Sequence, residues 1–404
     1  MELTFASATG STRKYKIAVA VLAVLSVIGV LVFCLSYTLE CCPWGVNNSV
    51  AWGQLITVMI YFIGLSAGSL VVSSLTYVFG REEYKPIGRM AVFMGLLLMA
   101  GAMFCVMVDL GRPEGFWRLF GFFYSNNMKS LFAINGLFYG GYLLLLILYL
   151  GAALANSKWT KVLAPAAVLW AILVHTGTGS IFGFVAARGV FYSSMKPIEF
   201  VSAAVASGLA LVMVMSYFTL KFSRREVPTN MFVSLGSLLK LLIVVLVLLV
   251  AVDKLTHYYP PHRESLLFLT TGAWAWIFWG MQFTLGYVVP LFILFHPRWG
   301  KTLKGVLIAA AINVIGIFGE RAALIFPGLG EPLHLYPGTV EGIWGDRGTY
   351  PVTAAETLIT VGIVALISLI YLIGIRYLRV LPGESAVEEV QELAEEPEPA
   401  AAAE

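Results

Sequence analysis

The chain has 404 residues, of which 59% are hydrophobic and 12% are charged, and its formal net charge is +3. About a quarter of the residues in a soluble domain are charged, so this chain, with a mean hydropathy of +0.84, cannot cover a water-soluble particle with polar surface. Four Cys cannot form a disulfide framework, and the small, dispersed charge offers no phosphate-binding surface. The composition therefore excludes a soluble enzyme, a disordered protein, a disulfide scaffold and a nucleic-acid binder. It predicts a polytopic protein embedded in membrane lipid.

Ten apolar runs are long enough to cross a bilayer as helices, which takes about 20 residues each. They are continuously apolar rather than alternating, which argues against a β-barrel and predicts an all-α fold with ten transmembrane helices. The second and eighth runs are long enough to be tilted, or to begin as short interfacial stretches. The runs are Tyr15–Tyr37, Val50–Phe79, Met90–Val108, Leu131–Leu154, Val162–Phe182, Ile198–Leu220, Met231–Val252, Leu266–Phe295, Leu303–Ile325 and Ala354–Ile375.

The positions of Lys and Arg predict the orientation of these spans. Ten spans place both ends of the chain on one side, and the loops of that side hold 16 of the 26 Lys and Arg residues, against nine on the opposite side. The positive-inside rule then puts both termini in the cytoplasm. The segment after Leu381 is acidic and rich in Ala and Pro, which predicts a disordered cytoplasmic tail.

Small residues in the second and sixth spans, at Gly64–Gly68 and Ser202–Gly208, predict close helix contacts. Because these two spans also share one orientation, we expect two parallel four-helix repeats with the first and tenth spans outside them. The expected domains are an N-terminal helix with its connection (1–49), a first four-helix bundle (50–197), a second bundle with a periplasmic loop (198–352), the last helix (353–380) and the tail (381–404).

Four longer loops lie on the predicted outer side and are rich in Trp, Tyr, Gly and Pro. This pattern suggests a docking face or the roof of a site, and the alternative is an ordinary belt of interfacial aromatic residues. The loops are Asp109–Ser130, Phe184–Pro197, Asp253–Ser265 and Pro327–Val352.

The sequence offers few ligands for a redox cofactor or a metal. Of five His residues only His175 lies well inside a span, whereas a transmembrane haem normally needs two facing axial ligands. Cys34, Cys105 and the adjacent Cys41 and Cys42 have no spacing that suits an iron–sulfur cluster or zinc. There is no phosphate-binding glycine motif and no nucleophile elbow. We therefore expect no haem, cluster or metal site in this chain, and electrons for any redox chemistry would come from a partner.

Ionisable residues in or beside the spans are costly and are usually paired or functional. On the outer side they form three pairs, together with His175 beside the polar stretch 176–180; the pairs are Asp109 with Arg112, Asp253 with Lys254, and Glu320 with Arg321, which has Asn313 nearby. The i,i+3 spacing of Asp109 and Arg112 predicts a local ion pair. Lys240 is the ionisable residue placed on the cytoplasmic side of the midplane.

These residues have two interpretations. In the functional one, an outer cavity binds a polar headgroup, and His175 and Asp109 handle its protons. In the other, the acid–base pairs are structural clasps at helix ends and His175 is an interhelical hydrogen-bonding residue. Lys240 either extends its side chain to the interface or belongs to a buried proton path.

Three motifs resemble the NrfD/PsrC family of quinone-interacting membrane subunits, over roughly residues 50–325. They are Ile63–Gly68, the run Asp109-Leu110-Gly111-Arg112-Pro113 after the next helix, and Pro197-Ile198-Glu199-Phe200 leading into the small-residue stretch of the sixth span. Members of this family lack haem and exchange electrons between a membrane quinone and an iron–sulfur subunit on the periplasmic face. The ten-span form is similar to subunits of alternative complex III, of sulfite-reductase-associated complexes and, most of all, of the menaquinone reductase (Qrc) complex of sulfate reducers.

The resemblance implies a pocket for menaquinone, or another quinone, near the periplasmic surface of the first bundle, in a protein of the bacterial inner membrane. It implies a periplasmic ferredoxin-like iron–sulfur partner, together with a molybdopterin-oxidoreductase-like subunit and a multihaem cytochrome c. Family members often carry a His early in the first bundle helix, whereas residues 47–54 of this chain contain none. The expected headgroup residues are Trp52, Gln54, Asp109, Arg112, Asn135, His175 and Tyr192, with His175 and Asp109 as the catalytic proton carriers. The expected proton path comprises Lys240, Asp253, Glu320 and Arg321.

Two other functions remain open from the sequence. A secondary transporter or channel predicts broken helices and paired charges near the bilayer centre, and the outer position of most charges in this chain counts against it. An inert membrane anchor for a periplasmic partner predicts that His175 and Asp109 are dispensable for quinone turnover.

Overall fold

The computed structural model describes residues 4–8, 12–39, 44–47, 50–118, 129–259, 263–331 and 350–383. Within these ranges ten helices are long and apolar enough to cross a membrane, which confirms the ten predicted spans and the all-α membrane fold. The helices are α1 (Arg13–Thr38), α2 (Gln54–Tyr77), α3 (Lys85–Asp109), α4 (Leu131–Leu154), α5 (Thr160–Gly183), α6 (Lys196–Phe222), α7 (Thr229–His257), the short α8 (Arg263–Thr271), a π-helix (Ile277–Val288) that continues as α9 (Val289–Phe295), α10 (Leu303–Gly330) and α11 (Ala354–Tyr377). Single 3₁₀ turns lie at Glu82–Tyr84, Pro113–Gly115 and Trp299–Lys301.

Helix α2 lies at the centre of the protein and packs against α3, α5, α6, α10 and α11. Its contact with α6 brings the two backbones together, since a Cβ added at Gly68 would lie 1.9 Å from the Ala204 carbonyl oxygen and 2.7 Å from the Gly208 Cα. The small residues of the second and sixth spans therefore make the close helix contact that the sequence predicts. This contact joins the α2–α5 group to the α6–α10 group, and the division into two parallel bundles stays a prediction.

The two ends of the chain meet in a small antiparallel sheet. Strand β1 (Phe5–Ala6) pairs with strand β2 (Leu381–Pro382), with Phe5 opposite Pro382 and Ala6 opposite Leu381. Both ends therefore lie at the same end of the helices, as an even number of spans requires. We use "outer end" for the opposite end of the helices. The predicted acidic tail lies outside the described residues from position 384 onward.

Arg89, near the start of α3, ties this sheet to the helices. Its guanidinium lies 3.7 Å from the centre of the Phe5 ring, and Nη1 donates to the Arg379 carbonyl at 3.2 Å. Its Nη2 donates to the side-chain oxygen of Asn156, in the turn between α4 and α5. Arg89 thus holds three separate parts of the chain at the end opposite to the candidate site.

The eighth run, Leu266–Phe295, begins as a short separate stretch, one of the two forms that its length predicts. Helix α8 ends at Thr271, and the chain resumes as the π-helix at Ile277. The Trp279 indole donates to the Thr270 carbonyl across the break at 3.0 Å, and Asn313 of α10 donates to the Gly286 carbonyl at 2.8 Å. One contact from within the segment and one from another helix therefore accompany this geometry, and apolar composition alone does not reveal them. Elsewhere α2 begins at Gln54 rather than Val50, and α10 continues past Ile325 to Gly330.

Candidate functional site

A narrow apolar cleft with a volume of about 20 Å³ opens between the outer halves of α2, α3 and α4. Asp109, at the end of α3, follows the lining residue Val106 by three positions and is not itself a lining residue. The lining is mostly apolar, as is typical of ligand pockets. The lining residues are Met59, Met103, Val106, Phe116, Phe132, Ala133, Gly136 and Tyr139.

Trp52 borders the cleft through its contact with Phe132. The two rings stack at a centroid distance of 6.3 Å, and Trp52 also meets Phe182 edge to face at 5.8 Å. Phe182 stacks in turn on Phe200 at 5.8 Å, and the Arg321 guanidinium lies 4.0 Å from the centre of the Phe200 ring. A row of aromatic rings therefore connects the cleft with the charged residues of α10.

Asn135 is buried on α4, next to the lining residue Gly136. Its amide nitrogen donates to the Leu131 carbonyl at 2.8 Å, and its side-chain oxygen is buried without a hydrogen-bond partner. This oxygen faces α5, since a Cβ added at Gly177 would lie 2.3 Å from it. The neighbouring Tyr139 hydroxyl pairs with Thr178 of α5 at 2.8 Å, so both residues join α4 to α5.

His175 lies inside the protein where α5 meets α2 and α6. Its Nδ1 is 3.0 Å from the Ala171 carbonyl one turn earlier, which assigns the ring proton to Nδ1. Its Nε2 is buried without a hydrogen-bond partner and faces Gly64 of α2. The positive charge of Arg321 acts on this ring. Among the hydrogen bonds and ion pairs of the described residues, none joins His175 to Asp109.

Asp109 is the last residue of α3, and the carboxyl group of Glu356 on α11 acts on it electrostatically. Glu356 is 1% exposed. Its Oε1 accepts hydrogen bonds from the Gln54 backbone N–H at 2.8 Å and from the Tyr350 hydroxyl at 2.5 Å, and its Oε2 is buried without a partner. The Gln54 side chain accepts a 3.4 Å hydrogen bond from Thr357. One of the predicted headgroup residues, Gln54, is therefore bonded to two residues that the prediction did not include, Glu356 and Tyr350.

Tyr350 acts as a hydrogen-bond donor in this group. Burial, followed by the hydrogen bond to Glu356, raises the pKa of Tyr350 well above its ordinary value of 10.0. Its hydroxyl thus stays protonated at physiological pH. It also accepts a hydrogen bond from the Gln54 N–H at 2.7 Å, so this residue and Glu356 together cap the start of α2.

The predicted ion pair between Asp109 and Arg112 is wrong. Helix α3 ends at Asp109, and Gly111 follows with a φ of +66°, so Arg112 is no longer on the same helical face. Arg112 is exposed, and among the ion pairs of the described residues none joins it to Asp109. The i,i+3 rule holds only where the helix continues.

A second polar region, which we call the buried ion cluster, comprises Lys196, Glu199, Asp253, Lys254, Glu320 and Arg321. The Lys196 ammonium donates to Glu199 at 2.7 Å and to Asp253 at 2.8 Å, and Lys254 donates to the same Asp253 oxygen at 2.8 Å. Asp253 is fully buried. The predicted pairing of Asp253 with Lys254 is therefore present, but Lys196 also belongs to it.

The α10 part of the cluster begins at Glu320. Arg321 lies 3.3 Å from one of its oxygens, which confirms this predicted pair, and the Tyr287 hydroxyl donates to the other at 2.8 Å. Gln282 donates to Tyr287 at 3.0 Å, so the π-helix supplies a polar edge to the cluster. A cavity of about 30 Å³ lies against Lys196, Glu199, Lys254, Gln282, Glu320 and Arg321. Buried oxygens of Glu199 and Asp253 and the Arg321 Nε have no hydrogen-bond partner.

Two predicted site residues lie apart from both regions. Lys240 is 13 positions from Asp253 on α7, or about 20 Å along the axis, and its ammonium lies 5.2 Å from the centre of the Phe295 ring. Tyr192 is 41% exposed in the loop between α5 and α6, and its carbonyl accepts a hydrogen bond from His257 at 2.9 Å. The structure does not bring either side chain to the cleft.

The prediction missed Lys196, Glu199, Tyr350 and Glu356. Lys196 and Glu199 flank Pro197 at the start of α6, and their i,i+3 spacing at a span end is the signal that could have found them. Glu356 is an acidic residue in the first turn of the tenth span, where carboxylates are uncommon in lipid. Tyr350 carries no such signal, because its partner is known only from the fold.

The family model described as "Polysulphide reductase, NrfD" matches residues 44–331, most of the chain. The chain belongs to the NrfD family. This confirms the resemblance drawn from the Asp109–Pro113 run and the small-residue stretches. The chain is accordingly a multi-pass integral membrane protein. Among the described residues, no group of three or more His, Cys, Asp or Glu side chains could hold a metal ion.

Three relatives show the range of complexes in the family. The Hdr-like menaquinol oxidoreductase integral membrane subunit of Archaeoglobus fulgidus is 32% identical over 402 residues, covering 97% of this chain and 100% of the relative. A selenate reductase subunit of Mesobacillus selenatarsenatis is 30% identical, covering 78% and 83%. The menaquinone reductase integral membrane subunit of Nitratidesulfovibrio vulgaris, the type favoured by the sequence, is 26% identical, covering 84% and 86%.

Proposed function

We propose that this chain is the quinone-reactive membrane subunit of a respiratory oxidoreductase complex in the bacterial inner membrane. In this proposal the chain binds menaquinone or a similar quinone at its outer end, which faces the periplasm. It exchanges electrons with an iron–sulfur subunit docked there, and its own polar residues handle the coupled protons. The names of the relatives in Archaeoglobus and Nitratidesulfovibrio, a menaquinol oxidoreductase and a menaquinone reductase subunit, support this function.

The observation that carries the proposal is the apolar and aromatic lining of the cleft between α2, α3 and α4, toward the outer end where Asp109 ends α3. A quinone combines a flat ring with an apolar tail, so it needs apolar and aromatic walls along most of its surface and few polar contacts. Phe116, Phe132 and the two Met residues supply such walls, and the Tyr139 hydroxyl supplies a polar atom. When bound, a quinone supplies two-electron redox chemistry coupled to protons. The residues of this chain bind and orient it, and Asp109 accepts or returns a proton at its carboxyl oxygens.

We propose that the buried ion cluster conducts protons between the outer end and the interior of the second group of helices. Ionisable residues buried within membrane spans commonly form proton relays. The cavity beside the cluster is lined by both charged and apolar side chains, and the unpartnered oxygen of Glu199, one of its lining residues, supplies a hydrogen-bonding position that a buried water needs. The Arg321–Phe200 contact adjoins the aromatic row of the cleft. Lys240 lies about 20 Å along α7 from Asp253, so its place in a proton path stays a prediction.

The break in the eighth span is the feature that a transporter would share. Each of the relatives described above is named as an oxidoreductase or reductase subunit, and none is named as a transporter. The redox function therefore has the stronger support.

Asp109→Asn in the assembled complex tests the quinone site. We expect menadiol oxidation to fall by about tenfold to a hundredfold, because the amide cannot take up a proton, while complex assembly is unchanged. Steady-state turnover in native membranes measures the rate, and co-purification of the partner proteins measures assembly. Glu114→Gln, an exposed carboxylate five positions away, is the matched control and should keep the parent rate. Full turnover by Asp109→Asn in an intact complex would show that the chain is an anchor rather than a quinone-reactive subunit.

A further inference from the structure

The segment that leads into α2 carries Trp52, and two residues from the far end of the chain hold this segment. Tyr350 and Glu356 lie beyond the residues 44–331 that the family model matches, and both are buried, with exposed fractions of 4% and 1%. A carboxyl group at such a depth is costly unless it has hydrogen-bond partners. The carboxyl group of Glu356 bonds to the backbone two positions after Trp52.

Three hydrogen bonds form a closed set at the first residue of α2. The Gln54 backbone N–H donates to Glu356 Oε1 at 2.8 Å and to the Tyr350 hydroxyl at 2.7 Å. The Tyr350 hydroxyl donates to the same Oε1 at 2.5 Å. We call these three residues the α2 clamp. Removal of either side chain would leave the Gln54 N–H with one acceptor fewer.

The α2 clamp also closes on Gly53, the residue between Trp52 and Gln54. A Cβ added at Gly53 would lie 2.5 Å from both Glu356 Oε1 and the Tyr350 hydroxyl oxygen. No side chain fits in that space, so both groups lie directly against the backbone that carries Trp52. The backbone therefore has little room to move on this side.

Tyr350 is held in turn by packed aromatic rings. Its ring centre lies 4.9 Å from that of Phe326 on α10, and the Phe326 ring lies 5.4 Å from that of Trp274. The hydroxyl of Tyr350 thus has a fixed position from which it bonds to the start of α2. The α2 clamp is a support built from α10 and α11.

On its other side Trp52 contacts the cleft. Its ring stacks on Phe132, a lining residue, at a centroid distance of 6.3 Å, and meets Phe182 edge to face at 5.8 Å. The favourable arrangements of aromatic pairs depend on distance and orientation, so both contacts require one position of the Trp52 backbone. Tyr350 and Glu356 are not lining residues of the cleft, and they can affect it only through this segment.

We infer that Tyr350 and Glu356 are positioning residues for the quinone cleft, which fix the backbone at Gly53 and Gln54 and so hold the Trp52 ring against the cleft wall. This inference rests on the proposed function. Because the α2 clamp acts on the shape of the wall, its loss weakens quinone binding. The proton transfer at the Asp109 carboxyl stays as it is.

Tyr350→Phe in the assembled complex tests this inference, since it keeps the ring against Phe326 and removes only the hydroxyl. We expect the KM for menadiol to rise by about threefold to tenfold, the factor for loss of one hydrogen bond, with kcat within about twofold of the parent. Glu356→Leu should raise KM in the same way. Glu356→Gln keeps a side-chain oxygen that accepts hydrogen bonds, so its KM should stay within about twofold of the parent.

A double variant separates positioning from a general loss of stability. Trp52→Ala should raise the KM for menadiol by about tenfold. Addition of Tyr350→Phe to Trp52→Ala should change KM by less than about twofold, because the ring that the α2 clamp positions is already absent. Tyr371→Phe is the matched control and should keep the parent KM. Tyr371 is a buried tyrosine near the opposite end of α11, whose hydroxyl pairs with Thr219 at 3.0 Å.

Independent effects of Trp52→Ala and Tyr350→Phe that multiply in the double variant would overturn the positioning role, and so would an equal rise of KM in Tyr371→Phe. A parent KM in Tyr350→Phe beside a raised KM in Trp52→Ala refutes the positioning role and leaves the proposed function standing. Parent kinetics in both Trp52→Ala and Asp109→Asn refute the quinone site itself.

Discussion

Lys196 is the residue that neutralises the most buried charge in the described part of the chain. Its ammonium bonds to carboxylates from two helices, Glu199 of α6 and Asp253 of α7, and its side chain is almost fully buried. Ion pairs in a low-dielectric interior stabilise little by themselves, but removal of one partner leaves the others uncompensated. The integrity of the buried ion cluster therefore depends on Lys196 more than on any of its acids taken singly.

Lys196→Met should lower the free energy of unfolding by about 3–5 kcal/mol, because Glu199 and Asp253 would remain buried with less compensating charge. Thermal unfolding of the detergent-solubilised protein measures the change. Lys254→Met is the control, since the Lys254 side chain is 19% exposed and Asp253 keeps Lys196 when it is removed. Equal losses from the two variants would contradict the central role of Lys196.

At the residue scale the sequence predicts the types of polar group better than their partners. Gln54 bonds to Glu356 and Tyr350, which come from positions far along the chain, 302 and 296 residues after Gln54. In the sequence Lys196 counts as one of the loop charges that predict the orientation of the spans. Its hydrogen bond to Asp253 joins residues that are 57 positions apart. Local spacing carries no information about such contacts, whereas the Glu320–Arg321 and Asp253–Lys254 pairs join adjacent residues and are predictable.

At the scale of elements, the contact between α2 and α6 is a tight constraint. A Cβ at Gly208 would lie 2.3 Å from the Gly68 Cα, and the atoms in conflict are backbone, which cannot move aside as a flexible side chain can. The two helices carry His175's neighbours and the start of the buried ion cluster, so their separation would affect both regions.

Gly208→Val should therefore lower the unfolding temperature markedly, with a cost of at least about 1–3 kcal/mol from overpacking. The measurement is again thermal unfolding in detergent. Gly151→Ala on α4 provides a control, because nothing lies within 4 Å of a Cβ placed there. That variant should be neutral or slightly more stable, since Ala favours a helix over Gly. A Gly208→Val protein as stable as the Gly151→Ala protein would contradict the close approach.

The number and placement of the spans follow from apolar length alone, because the bilayer imposes the same length on every helix. The interruption of the eighth span after Thr271 does not follow from apolar length, since residues 272–276 are as apolar as the helices on either side. Its geometry is accompanied by the Trp279 indole and by Asn313 from another helix, so it depends on tertiary contacts. Mid-span π-helices frequently occur at functional sites, and this one borders the buried ion cluster through Gln282 and Tyr287.

At the scale of the whole molecule, the β1–β2 pair fixes the two ends of the chain on one face. Epitope tags placed before Met1 and after Glu404 should both be cleaved by protease in inverted vesicles and both be protected in intact spheroplasts, as the positive-inside rule predicts. Immunoblotting of the tags measures this. A protease site inserted beside Gly115, at the outer end, is the control and should show the opposite pattern. Cleavage of one terminal tag in each preparation would contradict the sheet.

The sheet and the contact between α1 and α11 also set the order in which the protein can assemble. The contacts that hold α1 come chiefly from α11, and the Tyr15 hydroxyl reaches the Leu372 carbonyl 357 positions later. Helix α1 is synthesised before the other described helices and α11 after them, so α1 enters the lipid before its packing partner exists. It is thus among the last of these helices to gain its tertiary contacts, and deletion of α11 would leave it without its main neighbour.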